Sequence, residues 1–227
     1  MAKNNIIFRS LGKIERNIDE NSRRIVGQAI VFDSWSRDLG GFVEKINRSA
    51  ITEDLLANSD VVMNFNHNDE KILARYVNGE GTLDLELRDD GLWFSFDAPE
   101  TSLGDEVLYN VRNGNLFECS FCCYLEKSGL KRYRDGDIYR QEVNSISLLH
   151  DVSIVVNAAY AATSVSARSA EEAAEEFEEI KREVDAEEAE EAARKAAEEE
   201  EKRKEMVHNE LAAKREEFLE HMKNISQ

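Results

Sequence analysis

Apolar residues between positions 23 and 168 fall in short runs or alternate with polar ones, the pattern of half-buried strands. Residues 24–32, 61–65, 82–88, 92–96, 116–125 and 146–156 are predicted as strands. Leu83, Leu85 and Leu87 alternate with Asp84 and Glu86; Asp89-Asp90-Gly91 then turns the chain into Leu92–Phe96, which predicts a hairpin. Asp135-Gly136 marks a second hairpin, and Asp38-Leu39-Gly40-Gly41-Phe42 reads as a turn. Two segments have helical spacing. Residues 49–57 are predicted as a short helix capped by Ser49, with Glu53 and Asp54 suited to its first turns. Residues 103–113 carry apolar side chains at 103, 107, 108 and 111 and are followed by Gly114, a helix stop. Many short strands and few helices predict a mainly β fold, an antiparallel barrel or sandwich with helices packed outside.

The pattern changes abruptly at Ser166-Ala167-Arg168-Ser169. From Ala170 onward the chain is rich in Ala, Glu, Lys and Arg and lacks Gly and Pro, which predicts a long helix. Phe177, Ile180 and Val184, and later Val207, Leu211, Phe218, Met222 and Ile225, have helix-face spacing; between 186 and 201 that face holds only alanine. Such a stripe fits a solvated, partly frayed helix, or a coiled coil or partner-binding helix. The reading is therefore a β domain over residues 1–168 and an acidic helical tail over 169–227.

Charge sharpens this division. The chain of 227 residues has a net charge of −18 and is 41% hydrophobic. Residues 169–227 hold 21 Asp/Glu and 10 Lys/Arg, so about a quarter of the length carries more than half of the net charge. A surface this acidic repels a phosphate backbone, which argues against nucleic acid as a partner and for a basic protein surface. No run of about 18 apolar residues is present, so no membrane span is expected. The first residues mix charges with Ile6-Ile7-Phe8 and show no signal-peptide pattern, and three free thiols suit a cytosolic protein. Cys119, Cys122 and Cys123 are too few and too clustered for a disulfide framework and read as small buried hydrophobes. Zinc held by them with His150 and Asp151 is the weaker reading; no metal or cofactor is expected.

The chemistry concentrates in three places. Ser120 lies mid-strand in Leu116–Leu125, His67 in the polar cluster Asn66-His67-Asn68-Asp69, and Asp151 in Leu148-Leu149-His150-Asp151-Val152-Ser153. A hydroxyl, an imidazole and an acid are the parts of an activated serine nucleophile. Strand parity puts Ser120 with Glu118 and Cys122 on one face, opposite Phe117, Cys119, Phe121 and Cys123. The same count puts Asp151 with Ser147, Leu149 and Ser153, and His150 with Ile146, Leu148, Val152 and Ile154. Ser120 and Asp151 would then face outward into a groove on the barrel wall. A cysteine-based site at Cys119 or Cys122 is the competing chemistry, and an inert barrel serving as a scaffold anchor is the non-enzymatic reading.

A wider set of segments adds to this. Gly27-Gln28-Ala29-Ile30-Val31-Phe32, Asp38-Leu39-Gly40-Gly41-Phe42-Val43-Glu44, Phe65-Asn66-His67-Asn68, Ile72-Leu73-Ala74-Arg75 and Gly91-Leu92-Trp93-Phe94 are followed by Leu103-Gly104-Asp105. Val111-Arg112-Asn113-Gly114-Asn115-Leu116 then leads into Cys119-Ser120-Phe121, and Leu149–Val155 and Ala159–Val165 close the series. In this order the chain resembles the prohead maturation proteases of tailed bacteriophages, related in fold to herpesvirus capsid-maturation proteases. The resemblance runs over about residues 24–168. It departs from the family pattern at Cys119 and Cys122, at Ala74, and in Val156-Asn157-Ala158-Ala159, which lacks the usual prolines.

The resemblance implies a herpesvirus-protease-like antiparallel barrel, with His67 as catalytic histidine, Ser120 as nucleophile and Asp151 as third member; herpesvirus relatives use a second histidine there, and His150 is adjacent. It implies no cofactor, and an oxyanion hole for which Arg75, Arg168 or a backbone N–H near Ser120 are the candidates. It implies substrates in scaffold or the scaffold-like segment of the major capsid protein, self-cleavage, and a place in the host cytoplasm inside the assembling prohead. On this reading the tail recruits the enzyme into the shell and is cut away near Arg168, and removal of residues 170–227 would spare peptidase activity.

Overall fold

The computed structural model describes residues 5–15, 22–156 and 170–225. The chain forms two compact units, Met1–Lys181 and Arg182–Gln227. In the first unit the strands are β1 (Asn5–Ile14), β2 (Arg24–Val31), β3 (Phe42–Ile46), β4 (Asp60–Phe65), β5 (Asn68–Val77), β6 (Glu80–Gly81), β7 (Leu83–Arg88), β8 (Gly91–Asp97), β9 (Glu118–Leu125), β10 (Leu130–Asp135), β11 (Ile138–Val143) and β12 (Ile146–Val155). Helix α1 (Glu53–Ala57) precedes β4, α2 (Ser102–Arg112) precedes β9, and α3 spans Ala170–Ile225.

Nine strands form one sheet in the order β6-β5-β4-β12-β9-β1-β2-β8-β7, and its end strand β7 comes back beside β5 and β6 in a nearly closed, barrel-like wall. The fold is mainly β, as the alternating pattern predicts. Every pairing in the large sheet is antiparallel except that of β12 with β4, which is parallel. Strands β10, β11 and β3 make a second, smaller sheet. Ile25, Ile30, Met63, Phe94, Phe96, Phe121, Val152 and Ile154 fill the interior, joined by Leu56 of α1 and Val107, Leu108 and Val111 of α2. Burying such side chains is the main force holding the wall closed, roughly 1.5–3 kcal/mol each.

Local chemistry sets the helix ends. Thr101 accepts a hydrogen bond from Gly104 N at 3.1 Å and starts α2, and Gly114 (φ +71°) follows its end. The helix predicted at 49–57 is divided. A 3₁₀ turn covers Arg48–Ala50, and α1 starts later, capped by Thr52, whose hydroxyl accepts from Leu55 N. Ser49 donates to Asn144 O instead, at 3.4 Å.

Strands β1, β3 and β5 carry no clear period-2 signal and were not predicted. Irregularities explain two of them: the register shifts between Arg9 and Gly12 in β1, and twice between Met63 and Phe65 where β4 meets β5. Each shift moves the apolar positions to the opposite phase.

The composition break at Ser169 precedes the end of the first unit. The opening turns of α3 belong to that unit: Ile180 is fully buried and the Phe177 ring meets Tyr139 edge-on at 5.4 Å. In the second unit the helix is almost wholly exposed and laced with Glu–Lys pairs at i,i+4, Glu191–Lys195, Glu200–Lys204 and Glu210–Lys214. Val207 and Leu211 are exposed there, and the side chains of Phe218, Met222 and Ile225 lie outside the described residues.

Candidate active site

Three neighbouring strands and one turn build the site. β9 lies between β12 and β1, and Ser120 pairs with Ser153 while Cys122 pairs with Asp151. Ser120 is therefore one step along the sheet from Asp151, on the face away from the core. Cys119, Phe121 and Cys123 point into the core, as parity predicts. On β12 parity fails. Register shifts fall between Ile146 and Leu148 and again between Leu149 and Asp151. Ile146 and Leu149 both lie in the core, while His150 and Asp151 both leave it. A bulge places two successive residues on the same side of a sheet, so Leu149 does not share the face of Asp151 as counted.

His67 comes from the tight turn that joins β4 to β5. Asn66 and His67 have φ of +56° and +52°, between the paired residues Phe65 and Asn68. Two consecutive positive φ values in a two-residue hairpin define a type I′ turn, whose second position usually holds Gly. A histidine held there against its steric preference is the kind of strain that clusters at functional sites. The turn is tied to β12, the parallel neighbour of β4, at three points. Asn66 N donates to Ile154 O at 2.9 Å, His67 N to Ser153 Oγ at 2.8 Å, and Val156 N to Asn66 Oδ1 at 3.1 Å.

The result is one line of hydrogen bonds. Asp151 Oδ1 lies 2.7 Å from His67 Nδ1, and His67 Nε2 lies 2.7 Å from Ser120 Oγ. Ser120 and Asp151 are buried, at 1% and 2% exposure, and the His67 side chain is 8% exposed. The site is thus on the outer face of the wall but covered, rather than in an open groove. A buried carboxylate accepts the Nδ1 proton, which leaves Nε2 as the acceptor facing the hydroxyl. Ser120 Oγ has a second acceptor within reach, the Arg9 carbonyl at 2.9 Å, where the bulge of β1 interrupts the ladder.

His150 does not join this line. Its ring meets Tyr124 edge-on at 6.4 Å. Among the described residues one cluster of metal-capable side chains occurs, Asp69, His150 and Asp151, and it contains none of the cysteines. Cys122 shares the face of Ser120, but burial, helped by the Asp151 and Asp69 carboxylates, pushes its thiol up to about 12. Burial also raises Cys119 and Cys123. All three stay protonated near neutral pH, and a thiol is a poor nucleophile compared with a thiolate. Arg75 is paired with Asp60 through two hydrogen bonds on the surface, and Arg168 lies outside the described residues.

Two supporting residues escape a sequence reading, Ser153 and Arg9. Ser153 is fully buried and its hydroxyl contacts Asn64 O at 3.3 Å as well as His67 N. Replacing it with Ala leaves the His67 N–H without that acceptor, which costs about 1–3 kcal/mol. Ser153→Ala is expected to lower thermal stability and slow the reaction by loosening the His67 turn; melting curves and kcat/KM measured on the same preparation check both.

A hydroxyl, an imidazole and a buried carboxylate joined in this order on a β wall are the parts of a serine hydrolase. The family model for the caudovirus prohead serine proteases matches residues 12–183, and the chain belongs to that family. Among solved structures it is similar to the capsid assembly protease gp21 of bacteriophage T4, with a TM-score of 0.49 at 12% identity, over 67% of this chain and 98% of that one. No curated protein matches the chain. No helix among the described residues is long and apolar enough to cross a membrane.

Proposed function

We propose that the chain is a serine endopeptidase that cuts scaffold, or the scaffold-like segment of a capsid protein, and itself during prohead maturation. The observation that carries this reading is the Asp151–His67–Ser120 line with both hydrogen bonds at 2.7 Å. Ser120 Oγ attacks the peptide carbonyl carbon while its proton passes to His67 Nε2. The C–N bond of the resulting tetrahedral adduct breaks as His67 returns that proton to the leaving amine. Water, deprotonated by His67, then attacks the acyl-enzyme, and the Ser120 hydroxyl is restored. Asp151 holds the imidazole by its Nδ1–H and offsets the charge that His67 gains. Asp151 is preferred to His150 as third member because its Oδ1 lies 2.7 Å from His67 Nδ1.

The acidic helix beyond Lys181 is the part suited to recruitment, through its charge or by pairing with another helix. Its i,i+4 pairs make it self-supporting, and Val207 and Leu211 offer apolar contacts. The β unit carries the chemistry. In the first test the wild-type chain and Ser120→Ala are concentrated, incubated side by side and weighed intact. Loss of the tail at a discrete site by the wild type alone supports a self-processing serine protease and reveals its specificity. Two unchanged masses, even after co-assembly with the capsid protein, would leave the barrel as a scaffold anchor.

A further inference from the structure

The opening turns of α3 reach the nucleophile through a single residue. Arg9 of β1 is 1% exposed. Its guanidinium bonds both carboxylate oxygens of Glu44 on β3, and its Nη2 also lies 3.0 Å from Glu176 Oε1 on α3. Gln141 Nε2 donates to Glu44 at 2.6 Å, and Arg132 links Gln141 (2.7 Å) with Glu179 (3.5 Å). Beside this network the Phe177 ring lies over Gly41, so close that a Cβ there would stand 2.9 Å from it. The carbonyl of the same Arg9 is the second acceptor for Ser120 Oγ. One residue thus holds the tail helix by its side chain and the nucleophile by its backbone.

We propose that residues 173–180 of α3 are an in-chain ligand that positions Ser120 by fixing Arg9, and that peptidase activity depends on their staying docked. The inference rests on the serine-peptidase reading. Its physical basis is the single proton of the Ser120 hydroxyl, which must point at His67 Nε2 for attack. The Arg9 carbonyl, 2.9 Å from Oγ, competes for that proton, so its position decides how far the hydroxyl is turned toward His67. When Glu176 and Phe177 let go, Arg9 keeps Glu44 but loses its tie to α3, and β1 is freer to shift the carbonyl that packs against Oγ. Misplacement of a reacting atom by about 1 Å can lower a rate by roughly 10²-fold. The dispensable part of the tail therefore begins beyond Lys181, not at Ser169, and a cut upstream of Ala170 leaves activity dependent on a noncovalent contact.

The test uses the full chain, a fluorophosphonate that phosphonylates the serine, and intact mass. Displacement of fluoride by Oγ, with the hydroxyl proton taken by His67, adds one phosphonyl group per active site. Glu176→Gln, Glu176→Ala and Phe177→Ala are compared with Glu190→Ala, an exposed position on the same helix. The expected result is a labelling rate constant about tenfold lower in Glu176→Ala and Phe177→Ala, with the same final extent of labelling. Glu176→Gln, which keeps an acceptor oxygen, is expected to lose less, and Glu190→Ala nothing. A purely structural contact would lower the melting temperature and leave the rate constant of the folded fraction unchanged; that outcome overturns the inference alone. A wild type that labels no better than Ser120→Ala overturns the peptidase reading and this inference with it.

Discussion

Ser120→Ala and His67→Ala are each expected to lower kcat by on the order of a million-fold, and the double variant no further. The reason is that the two groups act as one device. Without the hydroxyl there is nothing for the imidazole to deprotonate, and without the imidazole the hydroxyl keeps its proton. Asp151→Asn is expected to be milder, roughly 10⁴-fold, with the fold intact. An amide in place of the carboxylate presents an N–H to Nδ1. The imidazole then carries its proton on Nε2, where it faces Ser120 as a donor and cannot accept. Steady-state cleavage of a peptide substrate checks all three, with near-UV circular dichroism as the control for folding. A double variant far below the singles, or an Asp151→Asn enzyme near wild-type activity, sinks the assignment.

Glu44→Leu is expected to destabilise the first unit by about 3 kcal/mol, the low end of the cost of breaking a buried pair, because Arg9 keeps Glu176. Both side chains of the Arg9–Glu44 pair are 2% exposed, so water cannot replace the lost carboxylate. At roughly 2–4 °C per kcal/mol for a unit of this size, the melting temperature should fall by about 6–12 °C. Adding Arg9→Met should recover much of the loss, because apolar groups of similar volume often match a buried ion pair. A double-mutant cycle on melting temperature reads this directly. Additive losses in the double variant would show that the pair is not a coupled unit.

What the residues disclose by themselves depends on whether the period-2 count survives. On β9 it does: Cys119, Phe121 and Cys123 go to the core, and Ser120 and Cys122 to the other face. On β12 two bulges reset the count, and Leu149 ends in the core. The types and order of His67, Ser120 and Asp151 were legible. Their meeting depends on β12 lying parallel to β4 and beside β9, a pairing that no local pattern announces. Glu44 was not legible either, since the buried phase Phe42, Glu44, Ile46 of β3 emerges only in the structure. Nor was Arg9, because the bulge in β1 scrambles its phase. The boundary at Ser169 follows composition, whereas Phe177 and Ile180 carry the compact unit past it.

The position of β12 also orders events during synthesis. Among the described residues it is the last strand made, yet it sits between β4 and β9, near the middle of the wall. Until residues 146–155 leave the ribosome, β6-β5-β4 and β9-β1-β2-β8-β7 share no ladder, and His67 and Ser120 sit on separate pieces. A long-range insertion of this kind is intrinsically slow to fold. At about 5–20 residues per second, Ser120 exists for seconds before the strand that brings His67 to it. The order in which the strands appear thus postpones the meeting of Asp151, His67 and Ser120 until β12 has been made.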